Sequence, residues 1–94
     1  MKILWDEPKR RANLDKHGLD FADIAENFDF ETAIVRPAKP SQMRRERFQL
    51  IGSMYGDLLV ALVASPLGAE ALSIISLRPA SKEERDLYAS EKRL

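Results

Sequence analysis

Leu58-Leu59-Val60-Ala61-Leu62-Val63-Ala64 is the longest apolar run of the chain, and its length decides between architectures. Seven residues fit a buried strand, whereas a membrane span needs about 20. Turn signals stand on both sides: Gly52 and Tyr55-Gly56-Asp57 before it, Ser65-Pro66-Leu67-Gly68 after it. Beyond these lie two further strand-like stretches, Arg47 to Ile51 and Leu72 to Leu77. Short glycine-containing connections join the three into an antiparallel meander.

Working outward, Thr32 to Val35 is β-branched and reads as a strand, and Pro37 to Met43, with two prolines, reads as a loop. Ile3-Leu4-Trp5 reads as a short edge strand, with Trp5 a core anchor. A first helix is expected from about Glu7 to His17. Asp6 can cap it, Pro8 is tolerated in its first turn, and Gly18 can take the left-handed conformation that ends it. A second helix follows, with Asp20 as N-cap, a Leu19–Ile24 staple, and Phe21, Ile24, Ala25 and Phe28 along one face. Ser81-Lys82-Glu83-Glu84 is a capping box that opens a C-terminal helix. The order predicts one α+β domain, with two N-terminal helices and one C-terminal helix packed on an antiparallel sheet.

Composition narrows the chemistry. There is no Cys, so thiolate chemistry and disulfides are excluded, and a single His makes a metal centre improbable. No Gly-rich phosphate loop, nucleophile elbow or dinucleotide fingerprint occurs, so no cofactor is expected. The start of the chain lacks a signal-peptide core, which predicts a soluble cytoplasmic protein. Fifteen Lys and Arg balance fifteen Asp and Glu. The charges are nevertheless blocked: Asp20, Asp23, Glu26, Asp29 and Glu31 form an acidic stretch. Arg36, Lys39, Arg44, Arg45 and Arg47 form a basic one, broken by Glu46. Such a pattern allows one face to bind an anion while another meets a basic partner.

On the first helix, Lys9, Asn13, Lys16 and His17 fall at i, i+4, i+7 and i+8 and share a face. Two ammonium groups, an amide and an imidazole make a phosphate surface. His17, just before Gly18, suits either a C-terminal cap or a proton carrier near neutral pH. Arg47 opens a strand, Arg78 closes one, and Arg85 and Tyr88 lie a turn apart on the last helix. Guanidinium groups offer a phosphodiester bidentate donors that never lose their charge. Metal-free cleavage of RNA needs a base for the 2′-OH, an acid for the leaving oxygen and cations around the phosphate. Lys9, His17, Glu46, Arg47, Arg78, Arg85 and Tyr88 can fill those roles between them.

Trp5-Asp6 with Lys9, Asn13, Lys16-His17-Gly18, Phe21 and Phe28-Asp29 resembles the opening of the BrnT family of type II toxins. Glu46-Arg47-Phe48 with Ile51-Gly52, then Gly56 with Leu58-Leu59-Val60, resemble later blocks. So do Ile74-Ile75-Ser76 with Arg78, and Ala80-Ser81 with Glu84-Arg85 and Tyr88. The resemblance implies a RelE-like fold and a ribonuclease that arrests growth. It also implies neutralisation by a BrnA-like antitoxin of ribbon-helix-helix type, through which operator DNA is reached. It carries the catalytic expectation to Lys9, His17, Glu46, Arg47, Arg78, Arg85 and Tyr88. Asn13, Lys16, Arg44 and Arg45 are expected to hold the RNA. Two positions depart from the family: Ser73 and Pro79 stand where basic residues are common, which leaves two fewer cations near Arg78.

Overall fold

The computed structural model describes residues 1–40 and 45–92. Five strands form one sheet in the order β1-β5-β4-β3-β2. They are β1 (Lys2–Trp5), β2 (Ile34–Pro37), β3 (Phe48–Met54), β4 (Leu58–Leu67) and β5 (Ala71–Pro79). The helices are α1 (Glu7–His17), α2 (Ile24–Asn27) and α3 (Lys82–Glu91). The Pro37–Met43 loop lies partly, and Arg44 wholly, outside the described residues.

The meander β3-β4-β5 forms as its turns predict, each pair antiparallel. Gly52 is not part of a turn, however: β3 continues through it to Met54. The sheet is also not wholly antiparallel, because β1 pairs parallel to β5, from Lys2 opposite Ala71 to Trp5 opposite Ile74. No hairpin joins these two strands to force the opposite direction, and each ends by feeding a helix.

One face of the sheet buries Leu50, Met54, Val60, Leu62, Ala64, Ile74 and Leu77 against Leu19, Phe21, Ile24 and Phe28. The second helix is shorter than its pattern suggested: a 3₁₀ turn, Phe21–Asp23, precedes the single α-turn of α2. Asp20 still caps it, accepting from the Ala22 amide. Trp5 is not buried in the core. It is 37% exposed, and its indole N–H donates to Glu7. It ends the four-residue edge strand, whose Ile3, not Trp5, packs against the core.

Alternation along the strands puts Gln49, Ile51, Ala61, Val63, Ser76 and Arg78 on the opposite face, where they are cross-strand neighbours. The register slips between Val63 and Ala64, so that Ser76 lies opposite Val63 and Ile74 opposite Ala64. Ile75 is thus the extra residue of a bulge. The bulge keeps both Ile74 and Leu77 in the core while Ser76 and Arg78 share the other face. There α3 lies against β3, and its capping box forms between Ser81 and Glu84.

Candidate nucleic-acid interface

Helix α1 is unusual in what it buries: Asn13 is its only buried residue. The Asn13 amide donates to the Leu77 carbonyl (2.8 Å) and accepts from the Leu77 N–H (3.1 Å). A further donation reaches the Leu19 carbonyl at 3.1 Å. Pairing with β1 stops at Ile74, so Leu77 would otherwise present bare backbone along the sheet edge. The Asn13 carboxamide takes the place of the missing strand there. Its amide is therefore engaged with the protein's own backbone rather than turned outward to a ligand.

With Asn13 fixed, the rest of its stripe stands over the bulge of β5. Lys9, Ala12, Asn13, Lys16, His17, Ile75 and Ser76 line a cleft of about 290 Å³. Among the described residues, Lys9, Lys16 and His17 make no side-chain hydrogen bond or ion pair. Neighbouring Arg10 is different: it holds Glu7 and both oxygens of Asp20, which ties α1 to the turn below it. His17 is not the helix cap. Gly18, at φ 70°, closes α1 through its own N–H to the Leu14 carbonyl. Asp6 makes no side-chain cap either.

Arg78 sits two residues beyond Ser76 on the same face. Its Nη1 and Nη2 each donate at 2.7 Å to Glu84, one to each oxygen. Glu84 is only 4% exposed and also accepts from the Ser81 backbone N–H and from Gln49 Nε2. Gln49 in turn accepts from Arg36 Nε. The Arg78 guanidinium holds the Glu84 carboxyl down to about 2, against the burial that acts to raise it. In the sequence, Arg36 belongs to the basic stretch, Gln49 falls within the Arg47–Ile51 strand and Glu84 belongs to the capping box. Strand alternation from Arg47 through Gln49 to Ile51 was the available signal for Gln49, and nothing local marked Glu84 as the partner of Arg78.

The remaining expected residues are spread out. Arg85 is exposed and donates to the Ala80 carbonyl. Tyr88 lies at the far end of α3, its hydroxyl 3.4 Å from Thr32 Oγ1 and its ring beneath Lys92. Thr32 leads into β2, three strand intervals from β5, or about 14 Å. Glu46 and Arg47 precede β3, where the Glu46 carbonyl accepts from Ser65. Arg45 is exposed. The fold therefore brings Lys9, Lys16 and His17 together with Ser76, places Arg78 next along the strand, and sets Tyr88 apart. No group of metal-ligating residues occurs among the described residues.

The described structure is thus a small α+β protein in which Lys9, Lys16 and His17, without side-chain partners among the described residues, stand over a bulged sheet edge. The comparisons give the particular family. Residues 5–84 match the model of the ribonuclease toxin BrnT of type II toxin–antitoxin systems, and the chain belongs to that family. The crystal structure of the Brucella abortus ribonuclease toxin BrnT is similar, with 47% identity and a TM-score of 0.70. The match covers 87% of this chain and 99% of that one. No curated protein matches the chain.

Proposed function

We propose that the cleft between α1 and β5 is where this toxin cleaves RNA, without a metal, so as to inhibit translation and arrest growth. The observation that carries this reading is the row of Lys9, Lys16 and His17, without partners among the described residues, facing Ser76 across the bulge. Lys9 neutralises charge developing on the phosphate, Arg78 and Arg85 hold it, and His17 or Glu46 moves the proton. Arg47 and Tyr88 act at the margins, with Lys16 and Arg45 along the RNA path. Arg44 belongs to the same expectation but lies outside the described residues. The whole chain works as one RelE-like domain in the cytoplasm. A BrnA-like ribbon-helix-helix antitoxin neutralises it in a hetero-oligomer, and DNA is contacted only through that partner.

The test is incubation of the purified protein with RNA, with and without EDTA, beside Lys9→Ala and Arg78→Ala. Removing one preorganised charge-stabilising group should slow cleavage roughly 10²- to 10³-fold. EDTA should leave the wild type unchanged. Equal cleavage by all three proteins would remove the site, and loss with EDTA would remove the metal-free chemistry. A second reading, a catalytically weak homologue acting as co-repressor, is favoured by Pro79, which adjoins Arg78 where the family commonly has a cation; Ser73, the other departure, lies five residues back on β5, opposite Ser65. It predicts antitoxin binding with no RNA product.

A further inference from the structure

Arg78 has five N–H donors, and the protein uses three. Nη1 donates to Glu84 Oε1 and to the Pro79 carbonyl, and Nη2 donates to Glu84 Oε2. The two that remain are Nε–H and the second Nη2–H, which share one edge of the guanidinium plane. Among the described residues neither has a partner. That edge is a fork of the kind that takes two phosphate oxygens at once. The Arg78 side chain is 37% exposed, and its unpartnered Nε is not a buried unpaired group.

Glu84 is the opposite case. Each of its oxygens accepts two bonds: Oε1 from Arg78 and the Ser81 N–H, Oε2 from Arg78 and Gln49. All four lone-pair positions of the carboxylate are filled, which leaves none to bind substrate. A capping box alone accounts only for the bond from Ser81. It accounts neither for the burial of the second oxygen nor for the Arg36–Gln49 relay that fixes it.

We propose that Glu84 is a positioning residue of the RNA site: it clamps the outer edge of Arg78 and leaves the Nε–Nη2 fork set for one RNA phosphate. The inference rests on the reading that Arg78 contacts the phosphate. A flexible arginine at a strand end samples many rotamers, and a bidentate clamp removes that freedom before the RNA arrives.

The experiment compares cleavage of a single-stranded RNA oligonucleotide by wild type, Glu84→Gln, Ser81→Ala, Arg78→Ala and the Arg78→Ala/Glu84→Gln double variant. Ser81→Ala breaks the hydroxyl half of the same capping box but leaves Arg78 clamped, so it reports the purely structural share. Glu84→Gln is expected to lose about 10²-fold, chiefly in kcat, as a small misplacement of a charged group does. Ser81→Ala should stay near the wild type, and the double variant should be no worse than Arg78→Ala. Glu84→Gln matching Ser81→Ala would overturn the positioning role while leaving the site intact. Full activity of Arg78→Ala would instead sink the reading on which it rests. Wild-type protein gives a measurement independent of variant folding: the Arg78 Nε–H resonance should shift as inorganic phosphate is titrated in. An unmoved resonance at saturating phosphate would overturn the open fork.

Discussion

At the scale of single residues, Glu84 is the most consequential charge of the described structure. Its folded-state value of about 2 lies below the ordinary 4.5 because Arg78 bonds the ionised form. A depressed carboxyl stabilises the fold at every pH above its unfolded value. That contribution fades as pH falls from about 4.5 towards 2, where the folded form also takes up a proton. For this buried group the contribution at neutral pH is on the order of 3 kcal/mol. Glu84→Gln should therefore be less stable than the wild type by about that amount in urea unfolding at pH 7. The gap should shrink to about 1 kcal/mol by pH 2.5 and vanish only below pH 2. A gap that stayed constant with pH would mean the Arg78–Glu84 pair is not the source.

At the scale of elements, α1 and β3 show two ways of fixing a segment. Helix α1 has no buried apolar stripe; a single carboxamide docks it on the edge of β5. Asn13→Ala leaves the Leu77 N–H and two carbonyls without their partner, at about 2–3 kcal/mol. Exchange of the Leu77 amide hydrogen should accelerate far more than that of β4 amides, which keep their ladder partners. Equal protection in the variant would show that the helix is held by something else. Strand β3 depends on an absence. A Cβ at Gly52 would stand 2.9 Å from the Phe28 ring and 3.1 Å from Ala33. That ring is buried and packed edge-on against Phe30, so it has little room to yield. Gly52→Ala should cost about 1–3 kcal/mol, seen as a lower Tm with the fold unchanged. These two residues also mark what the sequence could tell. Turn signals and apolar alternation made the meander, α1 and the α3 cap legible, because local chemistry decides them. Gly52 looked like a turn and Asn13 like a ligand-facing amide because both roles depend on a distant segment: Phe28 for one, the bare edge of β5 for the other. The same limit applied to the parallel β1–β5 pair and to Glu84, whose partner sits on another element.

At the scale of the molecule, fifteen cations balance fifteen anions, so no net field draws RNA from a distance. Much of the acidic stretch is engaged locally. Asp20 bonds Arg10 and Ala22, Asp23 takes the Tyr55 hydroxyl, and Asp29 takes Thr32. The Tyr55 hydroxyl is pushed up to about 12 by that bond to Asp23, so it stays protonated throughout the physiological range. Among the cations left for an anion, Lys9 and Lys16 over the cleft and the open fork of Arg78 stand together along β5. Three phosphate contacts release counterions with a slope of about −0.7 each on a single strand. The logarithm of the RNA association constant should thus fall with the logarithm of salt with a slope of about −2. Lys9→Ala should make that slope shallower by about 0.7. Binding isotherms from 50 to 300 mM salt measure both. A slope near zero would mean that no phosphate is neutralised in the cleft. A slope twice as steep would mean that the basic stretch around Arg45 and Arg47 joins the contact, moving the RNA path from the edge of β5 across to the start of β3.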